Sequence, residues 1–311
     1  MSRFHRIAVL MGGWSAERPV SLASGVPIAA ALREKGFEVT EIDAPKDPAA
    51  LIAALTPKPD AVFNALHGTG GEDGRVQAIL DLLEIPYTHS GVLASALAMN
   101  KPAAKRVFAA EGLRVPGGAV YSKAEVLAGD VIPRPYVVKP PAEGSSFGVQ
   151  IVRAGDNGPA VADWGFGDEV LVEPYIAGRE LTVAVVDDPE TGEARALGAI
   201  EIRHAHGFFD YEAKYKGGEA EHIMPPDVPE SVLAELYDMG VRAHKALGCR
   251  GVSRSDFRYD DTQGSPGTVW LLETNTQPGM TPTSLVPDAA RSRGISFADL
   301  VVSLVEQARW G

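Results

Sequence analysis

Apolar positions follow two rhythms over roughly the first ninety residues. Ile7 to Met11 is a continuous apolar run ending in Gly12-Gly13, the pattern of a strand buried on both faces, and Val20 to Lys35 follows with helical spacing. Phe37 to Asp43 predicts a second strand, Pro48 to Leu55 a second helix, Asp60 to Leu66 a third strand and Val76 to Leu83 a third helix. Alternation of this kind predicts a small parallel sheet covered on both faces, so the fold class opens as α/β.

Further along the pattern is mixed. A helix is predicted from Ala94 to Gly112 and strands at Pro116 to Tyr121, Tyr136 to Lys139 and Val170 to Glu173. Leu181 to Val186 and Ala196 to Arg203 read as an antiparallel pair around the turn Asp187 to Gly192. Pro229 to Leu247 is an amphipathic helix, two more strands surround Arg254 to Asn275, and Phe297 to Arg309 is a final helix. Arg203 to Pro226 has no period. It mixes Phe208, Phe209, Tyr211 and Tyr215 with glycines and charges, which suits an ordered lid or binding loop better than a disordered linker. With 311 residues the chain exceeds the size of one core, so several domains and a cleft between them are expected.

Composition narrows the partners. A net charge of −12 without a basic cluster argues against nucleic acid, and no apolar run approaches a membrane span. The N-terminus reads as a first strand, not a signal peptide. A single cysteine, Cys249, cannot form an intramolecular disulfide and favours a reducing, cytoplasmic setting; at the end of a predicted helix it reads as a small buried residue rather than a nucleophile.

Chemistry concentrates near the C-terminus. In Val269 to Gly279 an apolar strand presents Glu273 and Asn275 two residues apart, on one face, and Arg254 and Asp256 stand in the same relation just upstream. Adjacent strands so equipped surround a small volume with three oxygen ligands and one guanidinium. A carboxylate cluster without a cation would place like charges together, so a hard cation such as Mg²⁺, completed by water and substrate phosphate, is the favoured reading over a plain polar network. Lys139 ends a strand and is followed by the Gly/Ser loop Gly144-Ser145-Ser146, a point charge with free N–H donors suited to polyphosphate; the spacing is not that of a Walker A loop. Glu173-Pro174-Tyr175-Ile176 and Glu180 could edge an adenine and hold a ribose. Two more glycine-rich loops follow predicted strands. In one, Ser15 as helix cap with Glu17 as first-turn acid weighs evenly against a ligand role for Glu17; in the other, His67 could orient a carboxylate or an oxyanion, and a hydrogen-bonded histidine of the fold is the favoured reading.

Six ordered blocks, GGWSAERPVSLASG, ALHGTGGEDGRVQAILDLLEIPYTHSGVLASALAMNK, VKPPAEGSSFGV, FFDYEAKY, SRSDF and LLETNTQPGMTPTSLVP, resemble the D-alanine:D-alanine ligases of the ATP-grasp superfamily, nearly end to end. The resemblance implies an N-terminal α/β domain (1–94), a central subdomain (95–176) and a C-terminal domain (177–311) with a lid at about 203–226. The last two, α+β in part, would clamp ATP between antiparallel sheets. It implies ATP-dependent ligation of two D-alanines through an acyl phosphate, in a cytoplasmic homodimer, with two Mg²⁺ ions for which Mn²⁺ could substitute; it leaves a monovalent cation open. Carried over by position, Lys101, Lys139 and Lys214 resemble phosphate-binding lysines, with Ser146 in the phosphate loop, and Glu173, Tyr175, Ile176 and Glu180 the adenine and ribose segment. Asp256, Glu273 and Asn275 resemble the metal ligands, and Glu17, with His67, Ser145 and Tyr215, the first D-alanine site. Arg254 and the Gly279 N–H resemble the oxyanion pair, and Ser284 and Leu285 the second carboxylate site. Tyr215 stands where some ester-forming relatives have phenylalanine, which points to an amine acceptor over the hydroxy acid of a D-alanine:D-lactate ligase. A silent ATP-binding module would be expected to have lost a metal ligand or Arg254.

Overall fold

The computed structural model describes residues 3–144, 147–204 and 220–311. The first unit contains β1 (Arg6–Met11), α1 (Arg18–Glu34), β2 (Glu38–Asp43), α2 (Pro48–Ala54), β3 (Ala61–Asn64) and α3 (Arg75–Leu82). Its three strands are parallel in the order β2-β1-β3. The unbroken apolar run of β1 has a physical reason: Ile7, Val9 and Met11 enter one core and Ala8 and Leu10 the other.

The single helix expected from Ala94 to Gly112 is two, α4 (Val92–Met99) and α5 (Lys101–Ala110). Asn100 leaves helical geometry and its side chain accepts the Ala103 N–H at 3.0 Å, while Pro102 sits in the first turn, where no helical donor is lost. The break places Lys101 at a helix start, aimed into the interior cleft.

A four-stranded antiparallel sheet, in the order β4-β7-β5-β6, joins β4 (Ala119–Ser122), β5 (Tyr136–Lys139), β6 (Gln150–Val152) and β7 (Glu169–Pro174). Between β4 and β5 lies α6 (Lys123–Ala128), unforeseen although Ser122 and Glu125 form a capping box. The third sheet has the order β10-β9-β8-β11-β12, all antiparallel, from β8 (Arg179–Asp187), β9 (Ala194–His204), β10 (Ala220–Ile223), β11 (Val252–Asp260) and β12 (Thr268–Asn275). The end of the stretch read as aperiodic therefore contains a strand. Helix α7 (Glu230–Leu247) covers one face of this sheet with Val232, Leu236, Met239 and Ala243. Two helices complete the chain: α8 (Leu285–Ser292), unforeseen, and α9 (Phe297–Glu306), which joins α1 in the core beneath β1. Among the described residues no helix is long and apolar enough to cross a membrane.

Cys249, partly buried, follows Gly248, the left-handed cap of α7, and desolvation pushes its thiol up to about 12, which disfavours the thiolate at neutral pH. His89, at φ 69°, meets Phe63 edge-on at 5.3 Å, and burial, with His67 and Arg250 nearby, pushes its imidazolium down to about 3. The native state thus binds its proton far below the unfolded value of about 6.5, so this stability is present above about pH 6.5 and is lost as pH falls toward 3. Urea titrations are expected to show a midpoint that declines from about pH 6.5 to about pH 5, before most carboxylates titrate, and His89→Asn, which tolerates the same backbone, is expected to flatten that decline.

Candidate active site

The four-stranded and five-stranded sheets face one another across a cavity of about 120 Å³, and an adjoining cavity of about 470 Å³ lies between the five-stranded sheet and the first helix and glycine loops of the N-terminal unit. Their walls are built by strand register. Asp256 on β11 lies opposite Glu273 on β12, and Arg254 opposite Asn275, with a bulge after Asp256. Arg254 grips Asp256 with two donors, Nε to Oδ1 at 2.9 Å and Nη2 to Oδ2 at 2.8 Å, and Thr182 on β8 donates to Oδ1 at 2.7 Å. Lys101 Nζ lies 3.4 Å from Glu273 Oε2 and donates to the Glu143 carbonyl. Burial raises the Glu143 carboxyl above the usual range, against the pull of Lys101.

Among the described residues no three His, Cys, Asp or Glu side chains gather into a metal centre. Two carboxylates and the Asn275 amide are nonetheless a hard oxygen set that fits Mg²⁺, which takes one or two protein carboxylates and completes its shell with water and phosphate. Asn275 is oriented by accepting the Gln277 N–H at 2.7 Å.

The smaller cavity is the apolar end. Glu173, on β7, is buried and held below the usual carboxylate range: burial opposes ionisation, but the ammonium groups of Lys139 and Lys105 outweigh it. Lys139 Nζ lies 2.6 Å from Glu173 Oε2. Tyr175, Ile176 and Glu180 line the same space. Beneath them Arg258, unforeseen, donates to the carbonyls of Ile176 at 3.1 Å and Gly178 at 2.6 Å, and lies 3.9 Å from Glu180. The alternation Arg254, Asp256, Arg258 along one strand could have found it.

At the other end Glu17 is buried where two glycine loops meet. A Cβ on Gly144 would come within 2.5 Å of Glu17 Oε1, and one on Gly68 within 2.9 Å, so both loops need glycine to admit the carboxylate. Glu17 is itself the N-cap position of α1, with no side-chain cap bond; Ser15 Oγ accepts its N–H at 3.1 Å and donates to the His67 carbonyl at 2.6 Å. His67 is held by Glu72 at 2.9 Å and by Ser24 at 3.3 Å. Ser24 Oγ also accepts the Met280 N–H at 3.4 Å, which leads to Gly279. A Cβ on Gly279 would lie 3.0 Å from Ser284 Oγ, so these two meet at the start of α8, where the Leu285 N–H belongs to the first turn. Gln277, also unforeseen, is buried and ties this loop to the N-terminal sheet: Asn64 donates to its Oε1 at 2.9 Å and its Nε2 donates to the Leu66 carbonyl.

Of the sequence-predicted residues, Glu17, His67, Lys101, Glu180, Arg254, Asp256, Glu273, Asn275, Gly279, Ser284 and Leu285 line the larger cavity. Lys139, Glu173, Tyr175 and Ile176 line the smaller, which Lys101, Glu180, Asp256 and Glu273 also border. Ser145, Ser146, Lys214 and Tyr215 lie outside the described residues.

Two antiparallel sheets closing on a lysine- and carboxylate-lined cleft, behind a parallel α/β unit, form the architecture of the ATP-grasp enzymes. The family model described as D-ala D-ala ligase C-terminus matches residues 124–306, and the one described as D-ala D-ala ligase N-terminus matches 48–90. D-alanine–D-alanine ligase of Paramagnetospirillum magneticum is 56% identical over 308 residues, covering 98% of each chain, and that of Parvibaculum lavamentivorans is 54% identical over 312 residues, covering 99% of each. The chain belongs to the D-alanine–D-alanine ligase family. Among solved structures, the Bacillus anthracis D-alanine–D-alanine ligase complexed with ATP superposes with a TM-score of 0.80 at 32% identity, covering 98% of this chain and 97% of that one. VanG D-Ala:D-Ser ligase of Enterococcus faecalis gives 0.76 at 28% identity, covering 97% and 99%.

Proposed function

We infer that this chain ligates two D-alanine molecules to D-alanyl-D-alanine, using ATP, through a D-alanyl phosphate. One observation carries the reading: a single cavity sets side by side a glycine-cradled carboxylate (Glu17), a lysine–carboxylate cluster (Lys101, Asp256, Glu273) and the start of a helix (Ser284, Leu285). These suit, in turn, an ammonium group, a triphosphate and a second carboxylate.

The γ-phosphoryl group passes to a carboxylate oxygen of the first D-alanine and ADP leaves. The amine nitrogen of the second then bonds to the carbonyl carbon, the carbon–oxygen bond to phosphate breaks, and the amine gives up a proton. Glu17 pairs with the first ammonium, its surroundings fixed by His67. Lys101 and Lys139 offset the charge of two anions brought together, and Arg254 with the Gly279 N–H receives the developing oxyanion. Ser284 Oγ and the Leu285 N–H take the second carboxylate. Glu173, Tyr175, Ile176 and Glu180 take adenine and ribose, and Ser145, Ser146, Lys214 and Tyr215 complete the two sites. Asp256, Glu273 and Asn275 would hold Mg²⁺; bound there, the metal supplies positive charge to the phosphates.

The purified chain is expected to release ADP and phosphate with ATP, Mg²⁺ and D-alanine together, and a rate independent of D-alanine would sink the reading. A second reading rests on the likeness to a D-Ala:D-Ser ligase. Competition among D-alanine, D-serine and D-lactate near neutral pH separates the acceptors; the dominant product is expected to be the D-alanine dipeptide. The three-part division at 94 and 176, the cytoplasmic setting and the homodimer belong to the same proposal, and sedimentation of the purified chain tests the last.

A further inference from the structure

Lys105 has no assigned part in the reaction, lines neither cavity, and is nonetheless one of the most buried charged side chains described, at 9% exposure. Helix α5 places it one turn beyond Lys101, and its ammonium meets Oε1 of Glu173, while Lys139 meets Oε2. Glu173 and Lys139 border the smaller cavity; Lys105 reaches the carboxylate from α5, outside the cavity wall. Burial lowers the Lys105 pKa against the pull of Glu173, and Lys139 adds to the lowering; with both lysines protonated, two ammonium groups against one carboxylate give this buried triad a surplus positive charge, which an anion in the cavity would complete.

If Lys139 is to grip a phosphate it must loosen its hold on Glu173. A buried carboxylate deprived of its only counterion bears the full cost of desolvation, and would keep the lysine for itself. We propose that Lys105 is a positioning residue: the standing counterion of Glu173, which lets Lys139 exchange between Glu173 and the nucleotide phosphates and leaves Oε2 ionised toward the cavity to accept a hydrogen bond from the exocyclic amine of adenine. This rests on the reading of the cavity as the ATP site. The same pairing explains why Glu173 stays ionised although it is almost fully enclosed.

Initial rates, with ATP and D-alanine varied in turn, test it in the full chain. Lys105→Met is expected to raise KM for ATP by about tenfold or more, with kcat and KM for D-alanine changed by less than about twofold, and to lower the preference for ATP over GTP. Lys105→Arg keeps the charge and is expected to stay within about threefold of the parent KM. In a Glu173→Gln background no carboxylate needs compensating, so adding Lys105→Met is expected to raise KM for ATP no further. Should Lys105→Met alone fail to fold, the comparison of that double variant with Glu173→Gln decides. The proposal is overturned if Lys105→Met lowers the thermal midpoint yet leaves KM for ATP unchanged, or if the two substitutions add. Failure of the ATP-site reading has a different signature: Lys139→Met and Glu173→Gln would themselves leave KM for ATP unmoved.

Discussion

Glu273→Gln is expected to lower kcat by about a thousandfold, a barrier increase of roughly 4 kcal/mol, while the protein stays folded. Its side chain borders the cleft, is 30% exposed and belongs to no core cluster, and glutamine keeps its shape. What changes is charge. Attack of a carboxylate on a triphosphate brings two anions together, and Glu273 is one of two carboxylates, facing each other across β11 and β12, that would hold the neutralising metal there. Lys101 loses a partner at 3.4 Å and becomes more available to phosphate, so KM for ATP is expected to move by less than about threefold while kcat collapses. Coupled ADP-release kinetics alongside circular dichroism and the thermal midpoint check both halves. Turnover at the parent rate would mean that the metal is held elsewhere.

Sequence made some of this arrangement visible and hid the rest for identifiable reasons. The two-faced burial of β1 is written in Ile7 to Met11, because a parallel strand between helices needs apolar residues at every position. Period-two spacing put Arg254 with Asp256 and Glu273 with Asn275, and each pair faces the cleft as expected. That Asp256 meets Glu273 and not a neighbour could not be read, since it depends on hairpin register and on a bulge after Asp256. Periodicity alone carried the helix at Ala94 across Asn100, although Asn100 and Pro102 mark a cap, and the position of Lys101 follows from that break. Helix α8 was hidden by its length of eight residues and by Pro287 in its first turn. Lys105, Arg258 and Gln277 act on groups 68, 82 and 211 residues away, distances over which local pattern is silent.

Arg254→Met is expected to reduce kcat by about a hundredfold to a thousandfold, the range for removing an oxyanion donor. Arg254 has two engagements to weigh. Its Nε and Nη2 clamp Asp256, so the substitution also strips a partly buried carboxylate of its cation, leaving the Thr182 hydroxyl at 2.7 Å as a neutral donor. A loss through Asp256 alone would act on the metal and hence on the first step, phosphorylation of D-alanine. A loss of oxyanion stabilisation acts on the second, attack by the acceptor amine. Rapid-quench experiments separate them: ADP formed in a first turnover near the parent rate, followed by slow dipeptide release, is the expected pattern, with the acyl phosphate trapped by hydroxylamine. Arg254→Lys restores one positive charge beside Asp256 without the two-pronged geometry, so it is expected to keep the first step near the parent rate and to recover the second only in part. Equal slowing of both steps in the two variants would assign Arg254 to Asp256 and remove it from the oxyanion site.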